Sequence, residues 1–451
     1  MRRRLEAWLG LALVVLGLAV GLVWGRAPAL VEWARARAVC IESDDWGLCG
    51  FLPDSAAITA LDRDHLAPGH FPEVYWHSTL EDSAAVSRLC AVLAAHVGRD
   101  GLPAVLQANY IMASLAYTPA AGDTAAFWQD HVLPETPRRY ERAGLWEAVA
   151  AGRLAGVWHP ELHGRWHYDP ARRLAATSAD SLVGVAAAAQ ILVFPGSEQA
   201  WELGPWRDGA VLADELAANL DAFSALFGGP PRSIIAPDYV WDDGDEAMWI
   251  DAGIRVIQGQ RQQRKASWRG LEGRVRKVVH RTLTRWWRRD RSYLDRNCIF
   301  EPVQQGDPRT ITEAAARGVR DAWRRGEPAV LEAHRINFAH LDQAVARLGR
   351  RELATLLADL DPMAPIYLVD GEVADLQRRG TSWSVRGGRI VVRNLSHARR
   401  LVVVPQQARD LAAHLGGRAD DRRGPLVVSL APGETRILGP RTPSRSPRDP
   451  N

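Results

Sequence analysis

The chain has 451 residues, a formal net charge of +3, an apolar fraction of 47% and a charged fraction of 24%. This composition is that of a globular protein, and the length allows a barrel together with a smaller domain. The 56 basic and 53 acidic residues nearly cancel. The overall basic excess of a nucleic-acid-binding protein is therefore missing, and no nucleic-acid partner is expected.

Residues 1–30 are predicted to form an N-terminal membrane anchor or signal segment outside the main fold. Arginines at positions 2–4 precede an uncharged run at 7–25, which is long enough to cross a bilayer as a helix. An anchor is favoured because this run exceeds the ~7–15 apolar residues of a signal peptide, although small residues at 27–29 also fit a cleavage site. We therefore expect single-pass attachment to the cell membrane.

Residues 31–375 are predicted to form one α/β domain. Short apolar runs, such as 38–43 and 328–333, alternate with amphipathic stretches, such as 83–97 and 341–359. This alternation is typical of βα units around a parallel sheet. With about seven or eight such units we expect a (β/α) barrel, whose active site lies at the C-terminal ends of the strands.

The first apolar run ends in neighbouring carboxylates, Asp44 and Asp45, followed by Trp46 and Gly47. Two like charges this close ionise together only when a cation or a strong donor lies beside them. A metal ion would meet that requirement. The alternative is a solvated Asp-Asp turn after a strand.

Three of the chain's 13 histidines, His159, His163 and His167, follow the apolar run 155–158. His163 and His167 are four residues apart, a spacing that allows two imidazoles to bind one cation. His159 has the same spacing to His163, so spacing alone does not select the pair. One Asp and two His leave coordination positions open, as catalytic metal sites do.

Another apolar run, residues 328–333, ends in His334. It repeats the arrangement of a buried strand followed by a polar residue, so His334 is expected to face the metal as a general acid. Glu301 also follows a strand-like run and is expected to line the same site.

These segments resemble the polysaccharide deacetylase family, also called carbohydrate esterase family 4. The resemblance is carried by Ser43-Asp44-Asp45, His163-Gly164-Arg165-Trp166-His167 and Leu331-Glu332-Ala333-His334, and it spans roughly residues 38–375. It is closest to a divergent branch with Asp-Asp-Trp-Gly and His-Gly-x-x-His. Where the family has Arg-x-Pro-Tyr, this chain matches Pro237 but has Ile235 at the Arg position, and no Asp-x-x-Asp-Trp motif follows.

The resemblance implies a divalent metal, usually zinc, held by Asp45, His163 and His167. It also implies that Asp44 is the general base and that His334 protonates the leaving amine. In the family an Arg braces the base, and Arg335 or Arg165 is the candidate for that role here.

Tryptophan is abundant, at 18 residues against 8 Tyr and 8 Phe. Its large apolar ring can stack on a sugar, although most such rings pack in cores. The residues predicted to contact the substrate are Trp46, Trp166, Pro237, Tyr239, Trp241, Glu301 and Arg335.

Residues 261–296 form a strongly basic segment, with thirteen Arg or Lys and three acidic residues. Val275, Val279, Leu283 and Trp286 recur at helical spacing, which predicts a basic amphipathic helix. Such a helix can contact an anionic membrane surface or an acidic polymer. The alternative is an insertion whose apolar residues pack on the barrel.

Residues 376–441 are predicted to form a small antiparallel β domain, because short β-rich runs are separated by Gly, Asn and Pro. The Pro-, Ser- and Arg-rich tail at 442–451 is predicted to be disordered.

The favoured function is a metal-dependent hydrolase that removes N-acetyl or O-acetyl groups from a cell-surface or exported polysaccharide. Its catalytic domain is expected outside the cytoplasm. One alternative is a glycoside hydrolase that uses Asp44 and Glu301 as its two carboxylates. The other is a catalytically silent glycan-binding or assembly protein, which the Ile at position 235 would explain.

Overall fold

The computed structural model describes residues 30–66, 73–121, 127–193, 201–265, 268, 270–288, 290–304, 306–417 and 424–439. The predicted anchor run at 7–25 and the predicted tail at 442–451 lie outside these ranges. Within them, no helix combines the length and the apolar character needed to cross a membrane.

The described helices surround a central sheet and extend into a C-terminal unit. They are α1 (Trp33–Ala36), α2 (Arg63–Leu66), α3 (Ser83–Ala95), α4 (Leu145–Leu154), α5 (Pro170–Ala179), α6 (Ser181–Ala188), α7 (Gly209–Phe227), α8 (Asp243–Asp251), α9 (Gly270–Trp287), α10 (Pro308–Arg324), α11 (Gln343–Leu360), α12 (Asp370–Arg379) and α13 (Gln406–His414).

The described strands are mostly short. They are β1 (Ala38–Trp46), β2 (Leu106–Ile111), β3 (Ala113–Thr118), β4 (Phe127–Val132), β5 (Trp158–Gly164), β6 (Ser233–Ile234), β7 (Val256–Gln258), β8 (Ser292–Leu294), β9 (Cys298–Ile299), β10 (Ala329–His334), β11 (Ile366–Leu368), β12 (Thr381–Arg386), β13 (Arg389–Asn394), β14 (Arg400–Val404), β15 (Leu426–Leu430) and β16 (Thr435–Leu438).

Nine of these strands form one sheet, in the order β8-β7-β6-β5-β2-β1-β10-β9, with β11 also paired to β1. Every pair in this sheet is parallel. The end strands β8 and β9 are successive parts of one chain segment, joined by residues 295–297, which pairs with β7 through β8 and with β10 through β9. This segment links the two ends of the sheet, and the predicted α/β barrel of about eight strands is confirmed in this form.

The central strand β1 is buried along its whole length, because strands and helices cover it on every side. Its apolar residues, such as Val39 and Ile41, join a core shared with α3, α10 and α11. Asp residues cap the N-termini of seven described helices, where each carboxylate accepts backbone N–H groups. Apolar strand runs and acidic caps together set where each βα unit begins and ends.

Small antiparallel sheets follow the barrel, as predicted. Strands β12, β13 and β16 form one sheet, and β14 pairs with β15. Helix α13, which the sequence analysis did not predict, packs between them in the same apolar cluster. Helix α12 crosses the predicted domain boundary at residue 375. The buried Arg393 ties the two units together, because it pairs with Glu372 of α12 and with Asp100.

Candidate active site

Asp44 and Asp45 both reach the site because β1 is irregular at its C-terminal end. Its register with β2 shifts between Ser43 and Trp46, and Asp45 has a left-handed φ of 71°. Consecutive side chains of a regular strand point to opposite faces, whereas a bulge re-aims one of them. The irregularity therefore places two neighbouring carboxylates at one end of the barrel.

Asp45, His163 and His167 bring three donor atoms together, as the sequence predicted. Asp45 Oδ1 lies 3.4 Å from Nε2 of His163 and 3.4 Å from Nε2 of His167. Zinc bonds of about 2.0–2.2 Å in a tetrahedron place neighbouring donor atoms about 3.3–3.6 Å apart. The three donor atoms therefore lie close enough to share one metal ion. His159 lies elsewhere, with Nε2 placed 3.1 Å from Glu161.

The imidazole of His163 is oriented by the backbone. Its Nδ1 lies 3.1 Å from the carbonyl oxygen of Ile235. A proton on Nδ1 makes this hydrogen bond and leaves the lone pair of Nε2 for a cation, an arrangement common among histidine ligands. His167 has a left-handed φ of 65°. Such backbone conformations are costly and concentrate at functional sites.

Glu202 holds the segment that carries the two histidines, and the sequence analysis did not identify it. Its carboxylate accepts backbone N–H groups from three consecutive residues, Arg165 at 2.8 Å, Trp166 at 2.9 Å and His167 at 2.8 Å. The side chain is 5% exposed. Gly164 is required beside it, because a Cβ there would lie 2.7 Å from Glu202 Oε2 and 2.9 Å from the ring of Pro237. Glu202 is therefore a positioning residue for His167.

Asp44 is braced by Arg296, which the sequence analysis also missed. Arg296 donates from Nη1 to Asp44 Oδ2 at 2.6 Å and from Nη2 to Asp44 Oδ1 at 2.7 Å, while its Nε donates to Glu42 at 2.7 Å. Asn109 adds a further hydrogen bond to Asp44 at 2.8 Å. Burial favours protonation, but the Arg296 guanidinium outweighs it and holds the pKa of Asp44 below its usual range.

Arg296 lies in the three-residue connection between β8 and β9, within the segment that links the two ends of the sheet. From there its guanidinium reaches across the interior to β1. It supplies the cation that the family resemblance led us to expect from position 235. Burial and neighbouring charges raise the pKa of Glu42 to about 8, so Asp44 is the carboxylate that pairs with Arg296 near neutral pH.

His334 and Glu301 form a hydrogen-bonded pair at the ends of β10 and β9. Glu301 Oε1 lies 2.5 Å from His334 Nδ1, and Asn337 donates to Glu301 Oε2 at 2.7 Å. Burial opposes protonation of the imidazole, but the Glu301 carboxylate outweighs it and raises the pKa of His334 to about 10. Nε2 of His334 lies 3.9 Å from Asp44 Oδ2. His334 is therefore protonated at neutral pH and faces the base.

Tyr239 extends this network on the side of Arg296. Its hydroxyl lies 2.5 Å from Glu332 Oε1 and 3.2 Å from Arg296 Nη1. The backbone at Asp238 and Tyr239 is left-handed, with φ of 53° and 58°. Both residues are partly exposed, and contact of Tyr239 with a substrate stays a prediction.

The three tryptophans predicted to contact substrate are buried instead. Trp46 is fully buried between Trp158 and Phe338, and Trp241 donates to Glu246 from inside the core. Trp166 packs in an apolar cluster beneath the histidine segment. Each ring follows a site residue in the sequence, but its side chain turns away from the site, so those predictions are wrong. The ring of Pro237 is also buried, where it packs against Gly164.

Arg335 and Arg165 do not brace the base. Arg335 is fully buried and donates to the carbonyl of Leu48 and to Glu81, which accepts the N–H of Gly47. It therefore holds the turn after β1 and cannot reach a substrate. Arg165 pairs instead with Asp130 on β4.

A second group of acidic and imidazole donors lies at Asp243, Glu246 and His280. Cationic side chains already occupy its carboxylates. Asp243 contacts Lys265 and Arg288, and Glu246 contacts Arg288 and Arg291. This group is therefore an ion-pair network of the structure and a poor candidate for a metal site.

No known family profile matches this chain, and no curated protein matches it. Among solved structures, a candidate polysaccharide deacetylase from Mycobacterium smegmatis is 13% identical, with a TM-score of 0.34, over 76% of this chain and 90% of that one. IcaB from Ammonifex degensii is 13% identical, with a TM-score of 0.26, over 50% of this chain and 84% of that one. A GH27 β-L-arabinopyranosidase from Geobacillus stearothermophilus is 9% identical, with a TM-score of 0.29, over 92% and 99%. At these values none of the likenesses assigns an activity.

Proposed function

We propose that this protein is a metal-dependent hydrolase that removes acetyl groups, bound through nitrogen or oxygen, from a polysaccharide. One observation carries the proposal. Three metal donors, a carboxylate kept ionised by Arg296 and an imidazole kept protonated by Glu301 converge at one end of the barrel. Base, acid and cation site are the three parts that hydrolysis of an amide at neutral pH needs.

Asp45, His163 and His167 would hold the metal, which when bound lowers the pKa of water and polarises an acyl carbonyl. Asp44 accepts the proton of the attacking water, and Arg296 keeps this carboxylate unprotonated between turnovers. As the C–N bond breaks, His334 donates its Nε2 proton to the departing nitrogen. The products are acetate and the free amine, and Glu301 stabilises His334 in its protonated state.

The geometry disfavours a glycoside hydrolase that uses Asp44 and Glu301. Such an enzyme needs one carboxylic acid to give a proton to the glycosidic oxygen. Asp44 is held ionised by Arg296, and Glu301 is engaged by His334 and Asn337. A silent binding protein was an alternative because Ile235 stands where the family has an Arg. Arg296 contacts Asp44 instead, so Ile235 no longer favours that alternative.

Metal content and product analysis test the proposal together. The wild type is expected to bind about one divalent ion per chain and to release acetate from N-acetylated oligosaccharides without shortening them. His163→Ala should lose the metal and the activity, whereas His159→Ala, a matched change outside the donor group, should keep the metal. Shortened oligosaccharides without acetate would support a glycosidase. Metal-free wild-type protein would exclude the metal site.

Asp44→Asn separates the base from the metal donors. The amide keeps the shape of the carboxylate but cannot accept the proton, so turnover should fall by about 10²–10⁴-fold while the metal stays bound. Loss of both metal and turnover would instead make Asp44 a ligand.

A further inference from the structure

Helix α9 exposes several of its apolar side chains. Val275, Val278, Leu283 and Trp287 are 52%, 57%, 44% and 70% exposed. At 3.6 residues per turn, Val275, Val278 and Leu283 fall on one side of the helix. No element of the described chain covers this side, which we call the α9 apolar face.

The opposite side of α9 is attached to the barrel through polar contacts. Thr284 is buried, and its Oγ1 accepts a hydrogen bond of 3.0 Å from Gln260. His280 packs against Trp268 with ring centroids 5.3 Å apart. Of the residues predicted to pack on the barrel in the alternative stated for this segment, Val275 and Leu283 are therefore exposed instead, Val279 is partly exposed, and the side chain of Trp286 is outside the described part of the chain.

Basic residues border the α9 apolar face on both sides. Arg274 and Arg281 lie along one edge of the helix and Arg276 along the other, and both Arg274 and Arg276 are exposed. An exposed apolar side with cationic borders is the pattern of helices that lie in the interface of an anionic membrane. The cationic borders match anionic lipid headgroups in charge. This match favours a lipid surface over an apolar protein surface as the partner of the α9 apolar face.

We propose that the α9 apolar face docks on an anionic phospholipid surface. Val275, Val278 and Leu283 enter the headgroup region, and Arg274 and Arg281 pair with lipid phosphates.

The test uses the full-length chain with an environment-sensitive fluorophore on Val278→Cys. A Cys90→Ala background avoids labelling of the one native cysteine that is not buried. Vesicles of phosphatidylcholine mixed with phosphatidylglycerol should shift the emission to the blue, and phosphatidylcholine alone should not. The same label on Val211→Cys, an exposed position of α7, should not respond.

Arg274→Glu combined with Arg281→Glu should abolish the shift, because each cation near an anionic surface contributes about fivefold to partitioning. If residues 7–25 insert into the bilayer, the full chain should float with both kinds of vesicle. Flotation therefore reports the N-terminal run, and the emission shift reports docking of α9.

An unchanged emission on anionic vesicles, or an equal shift on neutral ones, would overturn the proposal. A shift with soluble heparin but not with vesicles would assign the face to an acidic polymer. A shift that grows with protein concentration alone would assign it to a second copy. Both of these results would also reject lipid docking.

Discussion

The barrel interior and the surface of α9 break the usual distribution of side chains in opposite ways. The interior buries Arg296, Glu42 and Asp44, three ionisable groups that are each less than 5% exposed. Helix α9 exposes aliphatic side chains such as Val278 that would ordinarily be covered. Buried charge and exposed apolar surface are each the informative exception to the rule that apolar residues lie inside.

The comparison teaches that both exceptions need a matching group. The buried charges need opposite charges, which the described chain supplies, and the exposed apolar side chains need a covering surface, which the described chain does not supply. Within the barrel, Arg296 pairs with Asp44, and Glu301 pairs with His334. On α9 no element of the described chain supplies the matching surface, and the proposal assigns that part to a lipid surface.

The largest effect is expected for Arg296→Met, which removes the cation that pairs with Asp44 in the barrel interior. Asp44 would remain buried without its cation, and removing one partner of a buried pair typically costs about 3–5 kcal/mol. Denaturant unfolding should measure this loss, together with a large loss of activity. Arg324→Met is the matched control, since its side chain is 77% exposed and should cost less than about 0.5 kcal/mol. Equal effects at the two sites would show that the Arg296 pair does not stabilise the interior.

Glu202→Gln should weaken metal binding without unfolding the protein. The amide group keeps the size but presents an NH2 group to a backbone N–H, so the segment before His167 loses an acceptor. Changes in groups that orient metal ligands cost about 10–100-fold in affinity. A chelator competition titration measures it. Glu215→Gln, a nearby carboxylate that pairs with Arg207, should leave the affinity unchanged. A similar loss in both variants would refute the positioning role.

Glu301→Gln should shift the alkaline side of the pH–activity profile. His334 acts as an acid only while protonated, so activity is retained below its pKa, which is about 10, and falls as the pH rises through it. Without Glu301, burial lowers the pKa of His334, and activity should fall about tenfold between pH 7 and about 9. Glu332→Gln serves as the comparison, because Glu332 contacts Tyr239 rather than His334. An unmoved alkaline limb in Glu301→Gln would mean that His334 is not the acid.

The smallest effect is expected for Leu283→Ala on α9. Leu283 is 44% exposed, so its truncation should change the free energy of unfolding in solution by less than about 0.5 kcal/mol. The same change at Leu331, which is 1% exposed in β10, should cost about 2–5 kcal/mol. A cost at Leu283 close to that at Leu331 would show that the α9 face is covered in the isolated protein.

Sequence reasoning found the residues whose type and position are both distinctive. Asp44, Asp45, His163, His167 and His334 each stand at or just beyond the end of a buried strand, where a barrel gathers its site. The parallel sheet followed from the alternation of strand and helix patterns. The small C-terminal sheets followed from short β-rich runs.

The bracing residues gave no such signal. Arg296 stands at the end of a segment with thirteen basic residues, so nothing in the sequence separates it from its solvated neighbours. Glu202 acts on a segment 35 residues away, through a contact that only folding creates. Trp46 was misassigned for a related reason. Nearness in sequence to a site residue does not fix the side to which a side chain turns.

The segment that joins the two ends of the sheet also carries Arg296. Residues 292–294 pair with β7 and residues 298–299 pair with β10, and Arg296 stands between them with its guanidinium on Asp44. Each half of this segment has one strand neighbour in the described chain, so its amide groups are expected to exchange with deuterium before those of β1 and β2, which have neighbours on both sides. Local opening of this segment would withdraw the guanidinium from Asp44 and raise the pKa of the base.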